Sequence, residues 1–173
     1  MTPLWTPTSD RIDHSNIEAF RRAIASTDDS VTDTVALHRW SVEKPDVFWR
    51  EVWDRCGVIG ERGDIDVTTN DDLRLTRFFP NASISFAENA LAERPGRNDE
   101  AIVAVDENGA RRTMSWAELR GEVASMAAAL RALGVESGDR VAAFMPNVIE
   151  TVVAFYAANA VGAVFTSTSS DFG

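Results

Sequence analysis

Apolar and polar positions follow no steady rhythm over the first half of this chain and a regular one over the second. In SNIEAFRRAI, Ile17, Phe20 and Ile24 recur at helical spacing, with Ser15 placed to accept from the first open amides of a helix. Residues 27–30 read as a loop. In LHRWSVEKPDVFWREVWDRCGVIG, Pro45 suits a first helical turn and Asp46 the positive end of the helix dipole. Phe48, Trp49, Val52 and Trp53 then share one face, and Gly57 stops the helix. Tryptophans at that spacing are read as core or interface, because aromatic rings dominate buried area; stacking on a ligand is the minor reading. Residues 60–80 carry little periodicity and are expected to be loop. Ile84 and Phe86 alternate, a helix begins over 86–91, and ERPGRNDE at 93–100 has the composition of a linker.

From residue 101 the pattern is orderly. AIVAV predicts a short strand, Asp-Glu-Asn-Gly a turn that tolerates positive φ, and residues 111–114 the returning strand. SWAE at 115–118 is a capping box, in which the Ser hydroxyl and Glu carboxylate satisfy open amides; Met114 and Leu119 sit at the staple positions. The helix that follows carries Leu119, Val123, Met126, Ala127, Leu130 and Leu133 on one face and ends at Gly134. Gly121 inside it is unfavourable by about 1 kcal/mol against Ala, and close packing is the reason expected. VAAFM is a strand stopped by Pro146. Asn147 and Glu150 offer a weaker cap for a mostly apolar, buried helix to about Val161; Gly162 ends it and residues 163–165 start another strand. Strand–helix–strand–helix–strand at these lengths implies parallel pairing through right-handed crossovers. The fold class expected is α/β: a helical lead segment, then a β-hairpin and βαβαβ parallel units.

Composition narrows the functional classes. The chain has 173 residues, 45% of them apolar and 25% charged, which fits a folded globular protein. Its 17 basic and 27 acidic residues give a net charge of −10, against non-specific binding to nucleic acid or to an anionic membrane. The N-terminal residues lack the apolar core of a signal peptide, and the longest apolar run, 152–161, is too short to span a bilayer. Cys56 is the single cysteine, so no internal disulfide forms; a reducing cytoplasm and a buried structural thiol are expected. His14 and His38 are too far apart to pair on a metal. Asp28–Asp29 and Asp71–Asp72 read as solvated loops. Of Arg111 and Arg112, one is expected to face solvent and the other a carboxylate. No glycine-rich phosphate cradle and no Ser-His-Asp set is present in the sequence.

Candidate chemistry is confined to strand ends. Met145-Pro-Asn and the closing run 165–173 both follow strands, and ligands of open parallel sheets bind beyond the carboxyl ends. Position alone leaves open whether these are a site or turns that cap the next helix.

Four stretches taken together carry a resemblance: PLWTP at 3–7, RWSVEKPDVFWREVWDRCGVIG at 39–60, FFPNASISFAENAL at 78–91, and the run from TMSW at 113 to SDFG at 173. They resemble the N-terminal part of the acetoacetyl-CoA synthetase family, within the acyl-adenylate-forming superfamily and close to the acetyl-CoA synthetases. LGVESGDRV, MPN and GAV follow the superfamily pattern; WTP, FWREVW and SDFG point to the acetoacetate branch. The resemblance implies a helical and loop segment over 1–92 and, over 93–173, the beginning of an AMP-binding (adenylation) domain. It implies a ligase in which ATP and acetoacetate give acetoacetyl-adenylate and pyrophosphate, and CoA then gives acetoacetyl-CoA and AMP, with Mg²⁺ shielding the triphosphate. It also implies that the ATP loop, the ribose-binding acid and the catalytic lysine lie later than residue 173, that Lys44 is not that lysine, and that this chain is a truncated, inert opening section with no catalytic residue of its own.

By the same resemblance Ser169, Ser170, Asp171, Phe172 and Gly173 line the CoA channel. Acetate-type members carry a glycine pair at the positions of Ser170 and Asp171, and the acetoacetate branch usually has Pro at 170. Asp171 would repel CoA phosphates, so contact with the pantetheine arm is expected. A ligase of acetate or propionate, and a non-catalytic module that binds a partner through the Trp49/Trp53 face, are the competing readings. For the isolated chain, an open sheet edge invites self-association.

Overall fold

The computed structural model describes residues 4–97 and 99–170. In chain order its elements are α1 (Ser9–Asp13), α2 (Asn16–Ala25), α3 (Thr34–Glu43), α4 (Pro45–Arg55), β1 (Gly60–Glu61), β2 (Val67–Thr68), β3 (Arg77–Phe78), β4 (Ser83–Ile84), α5 (Phe86–Leu91), β5 (Glu100–Val105), β6 (Arg111–Ser115), α6 (Trp116–Ala132), β7 (Arg140–Phe144), α7 (Ile149–Ala160) and β8 (Val164–Thr168). A 3-10 turn, Leu73–Leu75, precedes β3. The region expected to be featureless loop therefore contains short paired strands. The chain divides into two compact units, Met1–Val58 with Arg62–Ala82, and Ile59–Glu61 with Ser83–Gly173.

The first unit is built on α2, α3 and α4. Ser15 caps α2 by accepting from the Glu18 amide at 3.3 Å. Ile24 is buried with Val31, Leu37 and Trp40, and Phe20 and Phe48 pack against them. Ile17, expected on that face, is exposed. The start of α3 is set by Asp33, whose carboxylate accepts from the Ala36 amide at 2.8 Å. Periodicity does not betray this helix, because Leu37 and Trp40 alone are buried along it. Pro45 opens α4 as expected, and Gly57 at φ +60° lets the Val58 amide reach back to the Trp53 carbonyl at 3.1 Å. Trp53 is buried with its ring 4.8 Å from Phe79, and Trp49 meets Phe78 at 5.1 Å. Cys56 is exposed, not buried: it is the C-cap of α4, where the apolar face has already ended.

Asp28 is not a solvated loop residue. Its carboxylate accepts from Lys44 Nζ at 2.7 Å, from the Ser30 hydroxyl at 2.6 Å and from Trp40 Nε1 at 3.1 Å, tying the α2–α3 loop to α3 and α4. The Lys44 ammonium holds its carboxyl down at about 2. Glu18, gripped by Arg21 through contacts of 2.8 and 2.7 Å, is likewise held at about 2. Both values are depressed below those of ordinary carboxylates, 3.8 and 4.5. The stability these groups contribute is therefore complete above that ordinary range and is lost as pH falls toward 2. Acid titration followed by tryptophan fluorescence is expected to show this unit loosening in that window, with a shallower slope in Glu18→Gln. An unchanged slope in the variant would count against the assignment.

In the second unit β5 and β6 form the expected antiparallel hairpin, turning through Gly109 at φ +81°. The capping box is present: the Ser115 amide donates to Glu118 at 2.8 Å and the Glu118 amide to Ser115 Oγ at 3.2 Å. Helix α6 then buries Leu119, Val123, Ala127 and Leu130 in one cluster with Ile149, Val153 and Ala157 of α7 and Ala87 and Leu91 of α5. Leu133, assigned to this face by spacing, is 81% exposed, because it is the C-cap, past the last packed turn. A Cβ at Gly121 would have nothing within 4 Å, so close packing is not the reason for this glycine. Gly121→Ala is expected to stabilise the chain by about 1 kcal/mol. Urea unfolding checks this as a higher midpoint at unchanged slope; a lower midpoint would reveal a hidden requirement for glycine.

Helix α7 begins at Val148 without a side-chain cap, so Asn147 does not serve as one. The Thr151 hydroxyl instead donates to the Pro146 carbonyl at 2.7 Å and anchors the preceding turn. Strands β7 and β8 pair in parallel, from Arg140 opposite Val164 to Phe144 opposite Thr168. The α/β class stands, with one refinement. Across α6, β6 and β7 belong to different two-stranded sheets, so β7–α7–β8 is the parallel unit present among the described residues. Helix–strand alternation sets spacing along the chain, whereas strand neighbours are chosen by long-range packing, here of α6 on both α7 and the hairpin. No helix among the described residues is long and apolar enough to cross a membrane.

Candidate functional site at the carboxyl edge of the parallel strands

Because β7 and β8 pair in register, they end side by side at Phe144 and Thr168. The Met145 amide donates to the Thr168 carbonyl at 3.2 Å, which brings the Met-Pro-Asn turn and Ser169 together just beyond the sheet. That is where open parallel sheets place ligands, since the side chains of following loops converge there. The opposite end is closed tightly. The Val164 amide donates to Asp139 at 2.7 Å and the Gly138 amide to Gly162 at 2.9 Å, so register is set at the amino end and carried to the carboxyl end.

Two cavities flank the Met-Pro-Asn turn. The larger, 530 Å³, is lined by Met114, Met126, Met145, Ile149 and Val153, with Arg112, Glu122 and Glu150 supplying charge. The smaller, 250 Å³, takes in Asn147, Val148 and Ile149 with Ala104, Asp106 and Arg112. Arg112 Nη2 sits 2.9 Å from Glu150 Oε1 and holds that carboxyl below its usual range. This guanidinium is therefore already neutralised, and the larger cavity is mainly a thioether-lined, polarizable apolar space. Arg111 is paired as well, with Glu100 at 3.0 Å, so both arginines meet carboxylates and neither is simply solvated. The Arg112–Glu150 contact escapes sequence reasoning because its partners are 38 positions apart, and Glu150 reads locally as a helix-start acid.

Of the residues placed in a CoA channel by resemblance, Ser169 is half-buried and Ser170 exposed. Asp171, Phe172 and Gly173 lie outside the described residues. Hydroxyls at this edge offer neutral donors and acceptors, which suit an amide-bearing arm. Among the described residues no three His, Cys, Asp or Glu side chains are grouped to hold a metal ion.

The family model for AMP-binding enzymes matches residues 87–173. The chain belongs to the AMP-binding enzyme family. Along nearly its whole length this AMP-binding enzyme chain is similar to the acetoacetyl-coenzyme A synthetase of Rhizobium meliloti (strain 1021), at 38% identity over 179 residues, covering 99% of this chain and 26% of that one. It is 34% identical over 175 residues to the acetoacetyl-CoA synthetase of Macaca fascicularis, covering 98% of this chain and 25% of that one. The solved acetoacetyl-CoA synthetase from Streptomyces lividans matches with a TM-score of 0.88 at 38% identity, over 100% of this chain and 27% of that one, in its N-terminal part. The chain thus spans about a quarter of the length of the curated relatives it matches.

Proposed function

We propose that this AMP-binding enzyme chain is the opening part of an acetoacetate–CoA ligase. Such an enzyme converts acetoacetate, ATP and CoA through acetoacetyl-adenylate to acetoacetyl-CoA, AMP and pyrophosphate, with magnesium, in the cytoplasm. The observation that carries the reading is similarity to acetoacetyl-CoA synthetases over both compact units, and not over the AMP-binding match alone. Residues 1–92 would be the lead segment and 93–173 the beginning of the adenylation domain. The loop Ser169, Ser170, Asp171, Phe172 and Gly173 would line the passage of the pantetheine arm, which fits the neutral hydroxyls at the carboxyl edge. The 173 residues alone would be inert, since the chain spans about a quarter of the length of the relatives it matches. On its own the chain would self-associate through the outer edges of the two-stranded β7–β8 sheet, where main-chain groups have no strand partner among the described residues.

The test is the enzyme carrying this chain in its natural reading frame, assayed for AMP release with acetoacetate, acetate and propionate beside the 173-residue chain. Acetoacetate is expected to give the highest kcat/KM and the short chain no AMP above background. Preference for acetate or propionate would overturn the acid assignment, and turnover by the short chain would overturn its inertness.

A further inference from the structure

Away from the sheet edge, Arg94, Arg97 and Arg120 gather with Trp116 around a cavity of 290 Å³. Its described acidic lining residues are Glu93 and Asp99, so three guanidiniums face two carboxylates in a chain whose net charge is −10. Two of the arginines are moored to the end of α5. Arg97 Nη1 donates to the carbonyls of Ala90 at 3.3 Å and Ala92 at 3.0 Å, and Arg120 Nη1 donates to that of Leu91 at 3.4 Å. Satisfying those carbonyls accounts for one nitrogen of each arginine and holds the groups in place before any ligand arrives. Glu93, the carboxylate nearest Arg120 at 3.2 Å, is 85% exposed, a weak and displaceable partner.

Trp116 adds an independent observation. The Arg97 guanidinium carbon lies 3.9 Å from the centre of its ring, fixing the indole by a cation–π contact. Its Nε1 is buried and has no hydrogen-bond partner among the described residues. A buried N–H without an acceptor is unfavourable and rare, and the residue that carries it lines the cavity with the three arginines. A donor set of that kind, with the arginines already ordered, matches the several acceptor oxygens of a phosphoryl group.

We propose that this cavity binds a phosphate-bearing anion, held by Arg94, Arg97 and Arg120 with the Trp116 indole N–H as a further donor. The ligand displaces Glu93 from Arg120 and accepts from the indole. Free pyrophosphate and the phosphate of a nucleotide share this chemistry, so both are tested.

The 173-residue chain is titrated calorimetrically in low-salt buffer with pyrophosphate and, separately, with adenosine monophosphate. The indole N–H resonance of Trp116, assigned by its loss in Trp116→Phe, is followed in parallel. One saturable site is expected, with a shift at the Trp116 indole; the tighter of the two probes identifies the source. Trp116→Phe and Arg94→Gln are each expected to weaken binding about tenfold, while Arg140→Gln, an exposed arginine of β7, binds as the parent does. Arg94 is exposed, so its variant keeps the test valid should Trp116→Phe fail to fold. Absence of a saturable site, an unmoved Trp116 resonance, or equal weakening by Arg94→Gln and Arg140→Gln would overturn the proposal.

Discussion

Leu119→Ala is expected to destabilise the second unit by about 3 kcal/mol, within the range of about 2–5 found for buried leucines. Leu119 is 1% exposed and is the first buried residue of α6. It joins the cluster that holds α5, α6 and α7 together, with Met114 packed against it from the hairpin side. Truncation removes its apolar area from that cluster and leaves a cavity the helices cannot close, since the capping box pins the first turn of α6. Total stabilities of small domains are about 5–15 kcal/mol, so the loss is a large fraction of what holds this unit. Trp116 reports on this unit, and Trp40, Trp49 and Trp53 on the other. Urea unfolding followed at the separate indole resonances should move the Trp116 midpoint down and leave the others nearly still. Leu133→Ala, at an exposed position, should change little, within about 0.5 kcal/mol. A Leu119→Ala loss below about 1 kcal/mol would mean that α6 is not the centre of this core.

Gly162→Ala is expected to destabilise by about 2–3 kcal/mol and to disturb the carboxyl edge 6 residues further on. Gly162 has φ +80°, and a Cβ there would stand 2.8 Å from Ser137 Oγ and 3.1 Å from Ser137 Cβ. Left-handed backbone costs an L-residue about 1–2 kcal/mol, whereas the hydroxyl contact can be relieved by rotating one short side chain. Backbone strain is therefore the larger share. The consequence reaches the site because the Gly162 carbonyl accepts from the Gly138 amide at 2.9 Å and Val164 is tied to Asp139, so this turn sets the register of β7 against β8. Three variants separate the causes in thermal unfolding. Gly162→Asn, which tolerates positive φ, should lose least, and Gly162→Val most. Adding Ser137→Ala to Gly162→Ala should recover only a minor part. Full recovery by Ser137→Ala would show that contact, and not backbone conformation, demands the glycine.

The local devices of this chain were legible in its sequence. Ser15, Pro45, Gly57, the Ser115–Glu118 box, Gly134 and Gly162 each mark a helix start or stop using residues within a few positions, and the structure places helix ends where they fall. The same holds for the hairpin around Gly109 and for the strands that became β7 and β8, where apolar runs are bounded by turn residues. The candidate edge was half legible. Met145-Pro-Asn and Ser169 were recognised as loops after strands, but their meeting depends on the register of two strands 24 positions apart, Arg140 opposite Val164.

Where periodicity was the only guide it erred at the margins. Ile17 and Leu133 keep the helical spacing and yet face solvent, because a spacing names a face and not how far the covering partner extends. Cys56 and Asp28 reversed their expected settings for the same reason: burial of a thiol and pairing of a carboxylate are properties of whatever folds back onto them. The sequence by itself determined the α/β class, the positions at which helices begin and end, the hairpin, and the family resemblance. Only the tertiary structure decided that β6 and β7 lie in different sheets, that Arg112 pairs with Glu150, and that three arginines gather with Trp116 around one cavity. Caps and turns are interactions between near neighbours and are written in short stretches of chain. Sheet partners, distant ion pairs and cavities arise only when remote surfaces are brought into contact.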